Sequence, residues 1–469
     1  MASLADRIYQ ALPVWMQHVA VTGYGLLWKR RRFGGAFTSA RRGFVERERW
    51  THSEWTAHQT DRLRVLLQHA YRNVPHYRRA LQGAASRDGC FASFGLADLP
   101  ALPLLEKDTI RSQPERLIAD SAGQLHTYLT SGTTGTPLAV RMSSATHQVW
   151  SAAYDARCRR WAGVHHGMSR AMIGGRIVVP RGQSRPPYHR HNWAERQIYL
   201  SAFHIGPETT PAYAEALSSF RPDYLVGYAS AHFFLARFFQ ERGLHPCRPK
   251  AILTSSEPLA PEMRGTLEHV YGCRVFDAYS GVEACCLASE CEYHRLHVSP
   301  DVGVVELLDP HGRPVPNGDL GEIVATGLLN QDQPLIRYRT GDWAALSDEP
   351  CPCGRGMPVL RELVGRIEDA VVGPDGREMV RFHGIFVGLP SVREGQVIQE
   401  AVDRFRLRVV VGPDFGEVER QTIRARFDQR LGPVHVDIEP VEAIERTERG
   451  KFRAVISRIP RAAGRGVTA

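Results

Sequence analysis

Residues 251–277 read AILTSSEPLAPEMRGTLEHVYGCRVFD, and this stretch decides the fold class. Ala251–Thr254 is a short apolar run of strand length, Pro261–Tyr271 is a candidate helix, and Arg274–Asp277 is a second short run. Strand, helix and strand in so short a span is the unit from which parallel sheets are built. Upstream, candidate strands Ser169–Ile173 and Tyr224–Gly227 alternate with candidate helices Pro211–Phe220 and Ala231–Arg242. Residues 1–95 read as helices, with Leu63, Val65, Leu66, Leu67, Ala70 and Tyr71 in a helical pattern. The texture changes at Gly303, where Val304–Leu308, Gly321–Thr326 and Asp342–Ala345 are strand candidates between Gly, Pro and Asp turns. Beyond Gly365-Arg366 come strand candidates Gln396–Glu400 and Leu407–Val411, a helix at Val418–Leu431 and a strand at Val434–Ile438. The expectation is an α/β protein. Residues 1–366 form a large N-terminal domain of mixed sheets and helices, and residues 367–469 a small α+β C-terminal domain.

The chain has 469 residues, enough for two or three ordinary domains. Apolar residues at 43% and charged residues at 23% are ordinary for a soluble globular protein. Lys and Arg number 59 against 50 Asp and Glu, a net charge of +9 that suits polyphosphates and anionic surfaces. The excess is spread out, clustering only at Lys29-Arg30-Arg31-Arg32 and from Arg453 to Arg465, and no nucleic-acid partner is expected. Nine cysteines are too sparse for a disulfide scaffold. Cys273, Cys285, Cys286, Cys291, Cys351 and Cys353 fall in one span of about eighty residues, which fits a reduced, cytoplasmic protein with one local thiol site. Met1 to Gln10 carries Asp6 and Arg7 and no secretory apolar run. Leu12 to Trp28 is moderately apolar, precedes four basic residues and is short for a membrane span. Residues 12–33 can touch a membrane surface or dock as a helix on the protein's own core, and docking is the preferred reading.

Chemistry is concentrated in four segments. The first is Tyr128-Leu129-Thr130-Ser131-Gly132-Thr133-Thr134-Gly135-Thr136-Pro137-Leu138. Two glycines let the backbone turn closely around an anion, and the hydroxyls offer donors to phosphate oxygens. No Lys follows the second Gly, so this is not a Walker loop. Pro137-Leu138-Ala139-Val140 reads as a strand, so the loop should join two strands. The second segment is Phe276-Asp277-Ala278-Tyr279-Ser280-Gly281-Val282-Glu283. Its aromatic can stack on a base, and the carboxylate four residues later can hold Mg²⁺ against phosphates. A core Tyr and a surface Glu would look the same. The third, Leu335-Ile336-Arg337-Tyr338-Arg339-Thr340-Gly341-Asp342, places a carboxylate after a tight turn. It suits the hydroxyls of a ribose, or is a plain turn between strands. The fourth, Arg446-Thr447-Glu448-Arg449-Gly450-Lys451-Phe452-Arg453, holds a Lys on a Gly turn, able to neutralise charge as an acyl phosphate forms. By itself it is a basic tail.

In this order and spacing the four segments resemble the adenylate-forming superfamily of acyl-CoA synthetases, luciferases and peptide-synthetase adenylation domains, over nearly the whole chain. Within it the chain is similar to the phenylacetate–CoA ligase branch, close to proteins of capsular-polysaccharide clusters and synthetases that adenylylate a deazaflavin coenzyme. The residues carrying this are Cys351-Pro352-Cys353-Gly354-Arg355, Gly365-Arg366-Ile367-Glu368-Asp369 and Gly450-Lys451-Phe452-Arg453, with Tyr24-Gly25-Leu26 and Arg31-Arg32-Phe33-Gly34-Gly35. The resemblance implies that Ser131, Gly132, Thr133, Thr134, Gly135 and Thr136 cradle the ATP phosphates. It implies that Ser256, Glu257 and Pro258 line the adenine pocket, with Tyr279 stacking on the base and Asp277 near its amino group, and that Ser280 belongs to the nucleotide-binding set. Glu283 and a loop threonine such as Thr133 would hold Mg²⁺, Asp342 would bind the ribose, and Lys451 would catalyse adenylation. Arg366 would sit at a hinge and Glu368 at the pivot of a mobile C-terminal domain. His204 and Tyr228 would wall the acyl pocket. Two departures bear on the rotation: Glu445 stands where the family often has Pro, and Glu368 where it usually has Asp or Lys.

Cys291, His297, Cys351 and Cys353 supply three sulfurs and an imidazole, a set that suits structural Zn²⁺, with His294 an alternative to His297. Cys285 and Cys286 read as core or pocket lining. The expected activity is conversion of a small carboxylic acid and MgATP to acyl-AMP, then acyl transfer to coenzyme A. Rival readings pass the acyl group to an amine, a sugar hydroxyl or a carrier thiol, transfer AMP itself to a cofactor, or leave a non-catalytic scaffold. A homodimer is compatible with all of them.

Overall fold

The computed structural model describes residues 4–86, 89–130, 137–366, 371–374, 378–379, 383–386, 389, 391–447 and 452–459. The opening stretch forms the expected unit. Ala251–Ser255 and Arg274–Ser280 are parallel neighbours, joined by the Pro261–Tyr271 helix. That helix starts on Pro261, whose missing N–H costs nothing in the first turn. It ends at Gly272, whose φ of 61° is a left-handed cap and whose N–H bonds Glu268 O. Tyr224–Gly227, Arg170–Gly174 and Gln197–Ser201 extend the parallel set, and antiparallel His189–Asn192 closes that edge. The interior strands are nearly all apolar because both faces are covered.

Beyond Arg274–Ser280 the strand direction alternates. Leu287–Glu290, Leu296–Val298, Val359–Arg366, Tyr338–Leu346, Gly321–Gly327 and Gly303–Leu308 follow in space, giving one sheet of twelve strands. The reason is connection length. Residues 281–286 have no room for a crossover helix, and only antiparallel neighbours can be joined by so short a turn. The Gly/Pro-rich texture after Gly303 is therefore the antiparallel half of the same sheet.

In the N-terminal segment, the His52–Asn73 helix begins at a capping box between Thr51 and Glu54. It buries Leu63, Leu66, Leu67 and Ala70, an i, i+3, i+4, i+7 stripe. Val65 lies off that stripe and is exposed, contrary to the expected pattern. The Tyr77 hydroxyl donates to Pro334 O and accepts from Ile336 N, tying this segment to the sheet. At the C-terminus, His435–Pro440, Arg404–Val411, Val392–Ala401 and Val455–Ser457 form a four-stranded sheet. The Glu417–Leu431 helix packs Ile423, Phe427 and Leu431 into its apolar cluster. Val455–Ser457, not anticipated from sequence, pairs parallel to Val392–Ala401.

Candidate active site

A cavity of about 1360 Å³ opens at the carboxyl ends of the parallel strands, where loops leave the sheet and chemistry is usually placed in such folds. Ser256, Glu257, Pro258, Asp277, Tyr279, Ser280, Glu283 and Asp342 line it from the large sheet, and Thr447 and Phe452 from the C-terminal segment. Segments from four distant parts of the chain thus face one space. Cys285 and Cys286 are buried in its wall, as expected.

Hydrogen bonds set the side chains. Tyr279, at the end of Arg274–Ser280, donates its hydroxyl to Asp342 Oδ2 at 2.8 Å. Asp342 N in turn bonds Thr340 Oγ1 at 3.1 Å, and Lys107 Nζ donates to Thr340 O at 2.6 Å. Gly341 between them has φ 76°, the left-handed turn that aims Asp342 into the cavity. Tyr338 donates to Glu283 Oε1 at 3.1 Å, holding that carboxylate at the cavity wall. Ser256 follows strand Ala251–Ser255 with φ 70°, a strained conformation for a residue with a side chain.

Glu257 bridges two parts of the molecule. Its Oε2 accepts from Ser230 N at 3.1 Å and Ser230 Oγ at 2.6 Å, at the start of the Ala229–Glu241 helix. Its Oε1 accepts from Phe452 N at 3.2 Å. The Phe452 ring meets Phe234 edge-on at 5.5 Å, and the Arg446 guanidinium lies over both rings. Arg446 is also paired with Glu394 at 2.8 Å. This bridging role had no signal in the sequence, because Ser-Glu-Pro reads only as a turn.

Asp277 reaches the cavity but is otherwise enclosed by protein. It accepts from Thr254 Oγ1 at 2.8 Å, and its backbone N–H bonds Glu290, which Arg264 pairs. Burial first, then the Glu290 charge, push its carboxyl up to about 7. The folded value lies above the unfolded one, so the native state holds a proton that the unfolded chain releases. Stability from this group is present below about pH 4 and is lost as pH rises through the folded value. Asp277→Asn should flatten that fall, by up to about 4 kcal/mol across the window. Thermal melts from about pH 5 to pH 8 check this, and equal slopes in both proteins would show Asp277 ionised throughout.

Ser131, Gly132, Thr133, Thr134, Gly135, Thr136, Glu368 and Lys451 lie outside the described residues, as does the Arg366 side chain. The flanks of the first loop do join two strands. His126–Leu129 pairs antiparallel with Ala139–Met142, and Thr130 N donates to Leu138 O at 2.9 Å. Thr130 lines the cavity. His204 and Tyr228 are not among the lining residues. His204 Nδ1 shares a hydrogen with Ser201 Oγ at 2.7 Å and its ring stacks on Tyr188, while Tyr228 N bonds Ile173 O.

The thiol set converges. Cys291 follows strand Leu287–Glu290, His297 sits on Leu296–Val298, and Cys351 and Cys353 precede Val359–Arg366. All four are buried, with their ligand atoms within 4.8 Å of one another. Ligands on tetrahedral Zn²⁺ at about 2.3 Å stand about 3.8 Å apart. Here Cys291 Sγ is 3.6 Å from Cys351 Sγ, and Cys353 Sγ is 3.3 Å from His297 Nε2. Burial drives the His297 imidazole down to about 4, keeping it neutral, the form that ligates metal. Burial opposes ionisation of Cys353, but hydrogen bonds from the Arg355 backbone and guanidinium outweigh it and lower its pKa toward the thiolate. His294 is engaged by Arg264 and Glu290 instead, and His297 is the imidazole that lies with the three thiols. Arg49 donates to Cys353 O at 2.7 Å, and Arg355 pairs with Glu48 while covering the Trp161 ring at 4.4 Å. The cluster therefore fastens the N-terminal segment to the antiparallel half of the sheet. The residues present fit a closed structural metal site.

The chain is also similar to known proteins in sequence and in fold. Residues 372–458 match the family described as the CapK C-terminal domain. The chain is 26% identical to protein CapK of Staphylococcus aureus, over 78% of this chain and 81% of that protein. It is 28% identical to the phenylacetate-coenzyme A ligase of Thermus thermophilus, over 85% of this chain and 95% of the relative. Among solved structures, a 2-hydroxyisobutyryl-CoA ligase in its postadenylation state, in complex with R3-HIB-AMP, superposes with a TM-score of 0.70. That match covers 88% of this chain and 91% of the other at 23% identity, and it shows a shared fold.

Proposed function

This chain belongs to the adenylate-forming superfamily, in its phenylacetate–CoA ligase-like branch, and from that premise we propose that it activates a small carboxylic acid with ATP and passes the acyl group to coenzyme A. In the first half a carboxylate oxygen of the acid attacks the α-phosphorus of ATP. The bond to pyrophosphate breaks, and acyl-AMP remains. Negative charge gathers on the α-phosphate oxygens, and preorganised positive groups lower that barrier. Lys451 and the hydroxyl loop Ser131–Thr136 are assigned this task. Glu283, held by Tyr338, would carry Mg²⁺ with help from Thr133, and the ion's charge offsets that of the polyphosphate. Asp342, oriented by the Tyr279 hydroxyl, receives the ribose hydroxyls, and Asp277 faces the adenine amino group.

In the second half the thiol sulfur attacks the acyl carbonyl, the carbonyl–phosphate bond breaks and AMP leaves, the thiol proton passing to solvent. The C-terminal segment would swing about Glu368 between the halves, breaking the Phe452–Glu257 contact as it goes. Cys291, His297, Cys351 and Cys353 would hold Zn²⁺ as a clamp with no part in the chemistry.

The observation that carries the reading is the single cavity faced by Tyr279, Glu283, Asp342 and Phe452. ATP–pyrophosphate exchange across a panel of aryl, short-chain and amino acids tests it. Exchange with one acid, followed by AMP release that requires coenzyme A, is the expected result. Silence with every acid would overturn adenylation, and acyl transfer to an amine or sugar without coenzyme A would overturn only the acceptor.

A further inference from the structure

The Val14–Phe33 helix is built inside out. On a globular protein a surface helix turns its apolar stripe to the core and its polar face to water. Here the docked face carries polar groups beside Val21 and Trp28. Gln17 is buried and accepts from Arg190 Nε at 2.6 Å. His18 Nδ1 accepts from His191 N at 3.0 Å, and Thr22 Oγ1 from Trp193 N at 3.2 Å. Gly25 packs so closely on Asn192 that an added Cβ would stand 2.2 Å from Oδ1. Arg32, at the end of this face, pairs with Glu195.

The opposite face is apolar and open. Trp15 is 65% exposed, Val19 55%, Leu26 58% and Leu27 60%, with Met16 between them. At 100° per residue these positions fall on one side of the helix, opposite Gln17, Gly25 and Arg32. A run of large apolar side chains presented to water along several turns marks a surface that something covers. No described helix is long and apolar enough to cross a membrane. This one is moreover fastened lengthwise to the edge strand His189–Asn192, so it can only lie flat.

Charge selects the occupant. From Arg7 to Val45 the chain carries seven Lys or Arg and no Asp or Glu. Exposed Arg30 continues the apolar face beyond Leu26 and Leu27. A second copy of the same segment would bring cations and no carboxylate to meet them. An anionic bilayer supplies apolar depth for Trp15, Val19, Leu26 and Leu27 and a plane of negative charge for the basic end. We propose that this face seats the protein on an anionic membrane surface, as a monotopic contact with the helix lying in the interface.

The test is co-sedimentation of the full chain with vesicles of phosphatidylcholine and phosphatidylglycerol, against phosphatidylcholine alone. Binding should require the anionic lipid. Val19→Asp combined with Leu26→Asp should lower the partition coefficient by about tenfold or more, since each loses the burial of an apolar side chain. Arg30→Glu should lower it by about fivefold or more. All three side chains are exposed, so thermal midpoints should hold, and Arg30→Glu keeps the test open if the double variant folds poorly. Failure of the parent chain to sediment, or sedimentation unchanged in both variants, would overturn the proposal. So would a dimer in light scattering that Val19→Asp with Leu26→Asp makes monomeric, because that assigns the face to a second copy.

Discussion

Lys451→Ala should reduce ATP–pyrophosphate exchange by about 10²–10³-fold while leaving ATP affinity within a few fold. The transition state places extra charge on the α-phosphate, and an ammonium group acting there stabilises it more than the ground state. The nucleotide's other contacts, assigned to Tyr279, Asp342 and the Glu257 loop, do not depend on Lys451. The described residues nearest it on either side, Thr447 and Phe452, both line the cavity. Phe452 is secured there by Glu257 and Phe234, which anchors the chain at that residue. Exchange kinetics with the best acid, beside equilibrium ATP binding, separate the two effects. Wild-type exchange in Lys451→Ala would place the adenylating cation elsewhere in the chain. Phe234→Ala, which loosens the anchor but removes no charge, should lower exchange less.

The second large effect is expected at the thiol cluster. Protein purified without chelator should contain about one zinc per chain, and Cys291→Ala or Cys353→Ala should lose it. Each substitution removes a thiol from a buried cluster that joins strands Leu287–Glu290, Leu296–Val298 and Val359–Arg366 to the N-terminal segment. The thermal midpoint should fall by several degrees, and chelation of the parent should reproduce the fall. Cys90→Ala, outside the cluster, is the control and should change neither quantity. Elemental analysis and melting curves decide the matter. A metal-free parent, or an unchanged midpoint in Cys291→Ala, would mean that the four residues only pack. Exchange activity at low temperature should survive metal loss, because none of the four ligands is among the cavity-lining residues.

Much of the fold was legible because it rests on local patterns. The β-α-β units between residues 210 and 280 formed close to their expected bounds, with only the strand begun at Arg274 running three residues further, to Ser280. The helix Glu417–Leu431 and the strand His435–Pro440 formed within two residues of theirs, while the strands Val392–Ala401 and Arg404–Val411 begin three or four residues earlier than expected. Short apolar runs, prolines at helix starts and glycines after helix ends act on their neighbours, so the sequence displays them directly. The order of the chemical segments was legible for a similar reason: each is short and holds its residue types together.

What was not legible depends on pairings across long separations. That Glu257 grips both Ser230 and Phe452 follows from where a helix start and a C-terminal segment meet, 27 and 195 residues away. The choice of His297 over His294 was decided by strand Leu296–Val298, which turns one imidazole toward Cys353 while Arg264 and Glu290 take the other. The last four of the twelve strands join the same sheet because Leu296–Val298 pairs with Val359–Arg366 far along the chain, a packing outcome with no period of its own. Residues 14–33 show the division most clearly. The sequence by itself determined that they form a helix, apolar through Trp28 and basic at its end, free of acidic residues. Only the tertiary structure decided which side meets water. Edge strand His189–Asn192 offers the Arg190 guanidinium and the His191 N–H as hydrogen-bond partners and packs Asn192 against Gly25, and these contacts outweigh hiding Trp15, Val19, Leu26 and Leu27.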